Sequence, residues 1–420
     1  MVSGPFSRRR FLVSSTAALG VAAVGGTVLS PTAAAALDVG SVRARARSLL
    51  GAQQTARPTG SDYVRYEDLY RQGDSVGAAL ARLTQAKIVT FPEGQFVCSD
   101  FNSGFQAGIS VPAHCRGIVG SGPGTLGGSR GTVFTMATRS STKANGARDS
   151  NGRLYVPNQD NSTPCQLNLL KQVNQNAPAV WKNFQVAGTE QGHIFSAFQV
   201  ANAAGGNTFE NVLISGWSGN AGAPPGETSA LAVSGRGAHV VTQVEADGRR
   251  SVGGEVFGAM GLTFQNSVGA TFRSCYVHDV RAANFVIFQS FNGLMVDCTS
   301  DALVQSDKAL GNGGVNFERA SGWTLVNPAL MGRNQRIHIA HSNDNWSMSQ
   351  DGTTYSVRNG SLKVVNPTYN DLWGNNLLIV QSWNPYGNGD TLSTPPLVRK
   401  SDWTSHLTYK WIHGSAQTIY

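Results

Sequence analysis

The chain has 420 residues, with 49 glycines, only 14% charged residues and a formal net charge of +8. That length suits two or three ordinary domains, or a single solenoid that grows along its axis. A basic balance would suit an anionic partner, but Arg8, Arg9, Arg10, Arg43, Arg45, Arg47 and Arg57 all precede residue 60, and no basic stripe with interleaved aromatics follows them, which argues against nucleic acid.

At the start, Ser7-Arg8-Arg9-Arg10-Phe11-Leu12 leads into an apolar stretch from Val13 to Leu29 and then the alanines 33–36. This string resembles a twin-arginine export signal, so residues 1–36 are read as a signal peptide cleaved near Ala34 or Ala36. Ser14, Ser15 and Thr16 make the span weakly apolar, so no stable membrane insertion is expected after cleavage. The expected location is secreted, outside a bacterium. Residues 37–60 carry no periodicity and read as a flexible lead-in. Ser75 to Leu83 has helical spacing of its apolar residues, with Asp74 or Ser75 able to cap it. Strand-type pieces follow at Lys87–Phe91, Phe96–Cys98, Gly108–Val111, Gly117–Val119 and Thr132–Met136. The glycine-rich stretch 120–124 is not a phosphate loop, since no helix or Lys-Ser/Thr follows it. Residues 137–177 are polar and read as a large excursion.

Seven turn signatures then recur in one frame: WKN-FQVA at Asn183, FEN-VLIS at Asn211, VVT-QVEA at Thr242, FRS-CYVH at Ser274, MVD-CTSD at Asp297, LVN-PALM at Asn327 and VVN-PTYN at Asn366. The unit is kept while the connections between units vary, as in a solenoid. Short polar side chains hydrogen-bond nearby backbone, and Asn and Asp tolerate left-handed geometry. A further apolar run precedes each signature, at Phe195–Val200, Ser229–Val233, Gly261–Phe264, Phe285–Phe288, Gly314–Phe317, Ile337–Ala340 and Leu377–Val380. Three strands per coil follow. This architecture resembles the right-handed parallel β-helix of the pectate-lyase-like superfamily. The expected fold is all-β, with the β-helix over residues 61–384, an N-terminal capping helix, and an aromatic C-terminal cap or tail over 385–420 containing Trp403, Tyr409 and Trp411.

Five cysteines, Cys98, Cys115, Cys165, Cys275 and Cys298, leave at least one thiol unpaired in a monomer, and their pairing is left open. Cys275 and Cys298 follow the turn residue in consecutive coils and read as stacked buried thiols. No spacing suggests zinc, and no metal ligand is assigned.

Aligning the strand before each signature gives two outward rows. Thr263, Ile287, Asn316 and His338 form one; Gln265, Gln289 and Glu318, extended by Gln199 and Ser234, form the other. Glu318 is the lone carboxylate of its row. It is followed by Arg319, with Asp301, Asp307 and Lys308 in the loop before its strand and His278, Asp279 and Arg281 one coil earlier. Glycoside cleavage needs two carboxyl groups flanking the bond, and Glu318 with Asp301 or Asp307 are the catalytic candidates. Gln265, Gln289, Asn316, Arg319, His338, Arg281 and Lys308 are the substrate-binding candidates. The resemblance implies lyases, glycoside hydrolases, fructan transferases and glycan-binding fibres. A secreted enzyme cleaving or transferring glycosidic bonds of a polysaccharide or oligosaccharide is expected, without cofactor, as a monomer or homotrimer. The alternatives are a lyase acting on a uronate polymer, in which Ca²⁺ could take part, and a non-catalytic glycan-binding surface protein.

Overall fold

A computed structural model describes residues 42, 44, 46, 57–98, 108–124, 131–136, 168–188, 196–217, 229–248, 260–280, 283–302, 314–332, 335–340, 346–356, 362–369, 378–381, 409–413 and 416–419. Their backbone winds as a right-handed parallel β-helix with three walls. A sheet of 16 strands bends over a corner to form two walls, and an 11-stranded sheet forms the third. Eight-residue strands such as Val180–Ala187, Thr208–Ser215 and Val240–Asp247 run through that corner and contribute to both walls.

The corner is a column of left-handed residues: Asn183, Asn211, Gln243, Ser274, Asp297, Asn327 and Asn366, with φ between 48° and 59°. Their side chains bond along the coil axis. Asn211 Nδ2 donates to Asn183 Oδ1 at 2.9 Å, and Asn327 Nδ2 to Asp297 Oδ1 at 3.0 Å. Six of the seven expected turn residues are in place. In the remaining coil the turn is Gln243 and not Thr242, which pairs as a strand residue with Glu210 and Arg273. A second left-handed column closes the far end of the third wall at Asn174, Asn202, Asn266, Gln289 and Arg319.

Inside the coil, one column of the third wall reads Leu170, Phe198, Leu231, Leu262, Phe285, Val315 and Ile337, all buried. Each such side chain contributes roughly 1.5–3 kcal/mol on burial. Aromatic edges interlock between walls, as Phe264 with Phe272 at 4.7 Å and Trp181 with Phe198 at 4.9 Å. Cys275 and Cys298 are free and buried, as is Cys115; Cys98 is also buried, and Cys165 lies outside the described residues. Burial raises the Cys298 thiol pKa, and neighbouring Cys275 raises it further.

At the N-terminal end the helix Val76–Leu80 is capped by Ser75, whose Oγ accepts from the Ala78 N–H at 3.1 Å, and buries Val76, Ala79 and Leu80. Arg57, inside the expected lead-in, bonds both Glu67 oxygens at 2.7 and 2.8 Å and the Thr90 carbonyl at 2.8 Å. The expected excursion contains a strand of the third wall, Asn168–Val173. Tyr409 and Trp411 of the aromatic segment lie on a strand, Tyr409–His413, that extends the third wall parallel to Leu378–Gln381 and pairs antiparallel with Ala416–Ile419. Trp403 lies outside the described residues. Among the described residues no helix is long and apolar enough to cross a membrane.

Candidate functional site

The strand leaving the corner at Gln243 alternates with period two, so Val244 and Ala246 are buried in the core while Glu245 and Asp247 face outward. The next coil repeats the pattern with Cys275 and Val277 inward, Tyr276 and His278 outward, and the coil after places Thr299 and Asp301 outward. Register stacks Glu245 on Tyr276 and Thr299, and Asp247 on His278 and Asp301. Gly248 lets the chain turn away at this point, because a Cβ there would lie 2.2 Å from the Asp279 carbonyl oxygen.

His278 is the centre of the resulting cluster. Its Nε2 faces Glu245 Oε1 at 3.2 Å; its Nδ1 faces Asp279 Oδ2 at 3.0 Å and Asp247 Oδ1 at 3.6 Å. Both ring nitrogens therefore carry protons. Burial alone would push the imidazole pKa down, but hydrogen bonds to Asp279 and Glu245 and the charge of Asp247 outweigh it and raise the pKa to about 9. The Tyr276 ring stacks on the imidazole at 4.5 Å, and its hydroxyl donates to Asp301 Oδ2 at 3.0 Å. Asn284 Nδ2 ties the third wall to this corner through the Val277 carbonyl at 2.7 Å and the Asp301 carbonyl at 3.2 Å. The His278 and Asp279 side chains are 1% and 0% exposed, whereas Glu245 and Asp247 are 26% and 22% exposed. Only the last two can reach a ligand.

Asp247, His278 and Asp279 each offer an atom within 4.8 Å of the others, as a metal site would. The donors do not suit Ca²⁺, which takes six to eight oxygens. The described set gives two carboxylates and an imidazole that already carries the cationic charge.

The third wall holds the residues expected to act. Its true register pairs Leu262 with Phe285 and Gln265 with Phe288. The expected alignment was one residue off in that strand, which moves every side chain to the other face. Ile287 points inward, Val286 takes its place beside Thr263 and Asn316, and Gln289 sits in the left-handed turn with φ 49°. Gln199 moves to the Thr263 row, stacked on Ala232. Arg319 also occupies the turn column, with φ 51°, and is buried. Asn316 and His338 are neighbours as expected, joined at 3.0 Å, but both are buried.

Glu318 is partly buried, and burial raises its carboxyl pKa against the opposing charge of Arg319. Asp301 is fully buried. It closes the strand before the third wall, next to Asn284, whereas Glu318 is four residues along that wall from Gly314, or about 13 Å by strand rise. The structure does not bring these two carboxyls together. Asp307, Lys308 and Arg281 lie outside the described residues. Glu245, Asp247 and Tyr276 were not among the expected site residues.

Comparison with known protein families finds no match, and no curated protein matches. Among solved structures, the chain is similar to the pectate lyase Pel9A at 12% identity and a TM-score of 0.35, covering 74% of this chain and 77% of that one. It is also similar to the A-module of mannuronan C-5 epimerase AlgE4 of Azotobacter vinelandii, at 11% and 0.29, covering 76% and 94%. A third is PfbA, a surface adhesin of Streptococcus pneumoniae, at 11% and 0.26, covering 85% and 99%.

Proposed function

We propose that the chain is an exported carbohydrate-active enzyme that cleaves or transfers glycosidic bonds of an extracellular polysaccharide or oligosaccharide, with Glu245 and Asp247 as its carboxylate pair. The observation that supports this reading is the His278 imidazolium buried behind two partly exposed carboxylates. Desolvating such a charge cluster costs free energy that an apolar trio would avoid. Buried charge groups of this kind gather at functional sites.

Glu245 and Asp247 lie two residues apart on one strand face, about 6.6 Å by strand rise, near the short end of the spacing for inverting glycosidases. Glu245, the closer to the imidazolium at 3.2 Å, is assigned as the base. Asp247, at 3.6 Å and 22% exposed, takes up a proton from solvent to serve as the acid. In hydrolysis Asp247 protonates the leaving oxygen while Glu245 takes a proton from the attacking water, so one water is added across the bond. Three carboxyl groups, those of Glu245, Asp247 and Asp279, face a single imidazolium, and Asp301 follows as the register partner of His278 in the next coil. A uronate would meet like charge there, which favours a neutral sugar and hydrolysis or transfer over elimination.

The secreted protein is tested on a panel of glycans with two readouts, new reducing ends and the absorbance of unsaturated products. Reducing ends without unsaturated products are expected. Unsaturated products, or no product from any glycan, overturn the reading.

A further inference from the structure

The register of the third wall places Ser234, Gln265, Phe288 and Glu318 in one outward row, one residue per coil. All four are partly exposed. Coils repeat about every 4.8 Å, so an amide and a carboxyl flank the Phe288 ring on either side along the coil axis. An aromatic ring in an outward row calls for a reason, because the coil interior was available to it at the neighbouring position, where Ile287 is fully buried. In the adjacent row, the residues beside these four are Ala232, Thr263, Val286 and Asn316, all uncharged, and His338 in the next coil is buried against Asn316 at 3.0 Å.

We infer that this row is a binding subsite for a neutral sugar ring, whose C–H face stacks on Phe288 while its hydroxyl groups bond to Gln265 and Glu318. Sugars present an apolar face and a polar edge, and this row offers a partner for each. Burial favours the protonated form of Glu318, which can then donate as well as accept. The row carries no cation to meet a uronate or sulfate group, since the nearby Arg319 is itself buried. The subsite deepens the glycan reading above and rests on it. It lies at the far end of the third wall from His278, so a chain cleaved at Glu245 and Asp247 would be held several residues away.

The test is native-gel electrophoresis of the full-length protein, carrying Glu245→Gln to silence turnover, through gels containing starch, dextran, mixed-linkage β-glucan or galactomannan, with alginate and polygalacturonate as anionic controls. At least one neutral polysaccharide is expected to retard it. Adding Phe288→Ala should weaken that retardation about tenfold, and Phe288→Tyr should keep it. Retardation unchanged by Phe288→Ala, retardation by the anionic gels alone, or none in any gel overturns the subsite. Because binding is read without turnover, cleavage by the parent protein with no such retardation leaves the Glu245 and Asp247 assignment standing. Retardation with no cleavage of any glycan does the reverse.

Discussion

Across two neighbouring coils, His278 donates through Nε2 to Glu245 Oε1 at 3.2 Å, a contact made by a side chain only 1% exposed. The pairing arises from a period-two strand repeated coil upon coil, and it ties stability to pH. The folded pKa of about 9 exceeds the ordinary 6.5. Its stabilisation is therefore complete below pH 6.5 and is lost as pH rises through 9, on the order of 3 kcal/mol. Denaturant unfolding at pH 6.5 and pH 10 should show that loss in the parent and much less of it in His278→Gln. Equal losses in both proteins would show that His278 is not the group responsible.

His239 should behave in the opposite sense. It is fully buried, its Nδ1 accepts from the Asn207 N–H at 3.1 Å, and burial lowers its pKa to about 4. Its contribution is present above pH 6.5 and is lost as pH falls through 4. Taken together, the two histidines place their joint optimum near pH 6.5. Histidine ring proton shifts followed by NMR should show one ring neutral down to about pH 4, and a midpoint near 6.5 for His239 would contradict its burial.

The left-handed corner makes a packing prediction. Asn211→Ala and Asn327→Ala each lose a ladder hydrogen bond and place Ala at positive φ, so each should cost roughly 1–3 kcal/mol. Gln243→Asn should stabilise by a few tenths of a kcal/mol, because Asn accepts φ 53° more readily than Gln. Thermal melts measure all three. A Gln243→Asn protein that melts lower would mean that Gln243 supplies more than the turn.

Export is tested separately. Arg8→Lys with Arg9→Lys is expected to leave folded protein inside the cell, as read by fractionation and immunoblot, and normal secretion of this variant would point to another route.

Much of the fold was legible because it repeats. Asn183, Asn211, Ser274, Asp297, Asn327 and Asn366 announce the corner by residue type, and the apolar runs give the walls. The site was harder to see because it depends on single-residue register. With Thr242 as the turn, period two points Gln243 and Glu245 into the core, and that conflict was the available signal. With Gln243 as the turn, Val244 and Ala246 go inward and the carboxylates outward. The same slip concealed Phe288, since Gln289 fitted a polar row better than a phenylalanine did. Gln289 and Arg319 looked like surface polar residues, yet they fill left-handed turns where Asn is the easier residue. Their residue types therefore gave no warning.

The most direct measurement of the central claim is the turnover of Glu245→Gln and Asp247→Asn on the glycan that the parent protein cleaves, with circular dichroism confirming the fold. Each loses an acid or base group, so the rate of reducing-end release should drop about 10²- to 10⁴-fold while the melting temperature stays within a few degrees. Parent-like rates in both variants, with Glu318→Gln inactive, would contradict the account and move the chemistry to the third wall.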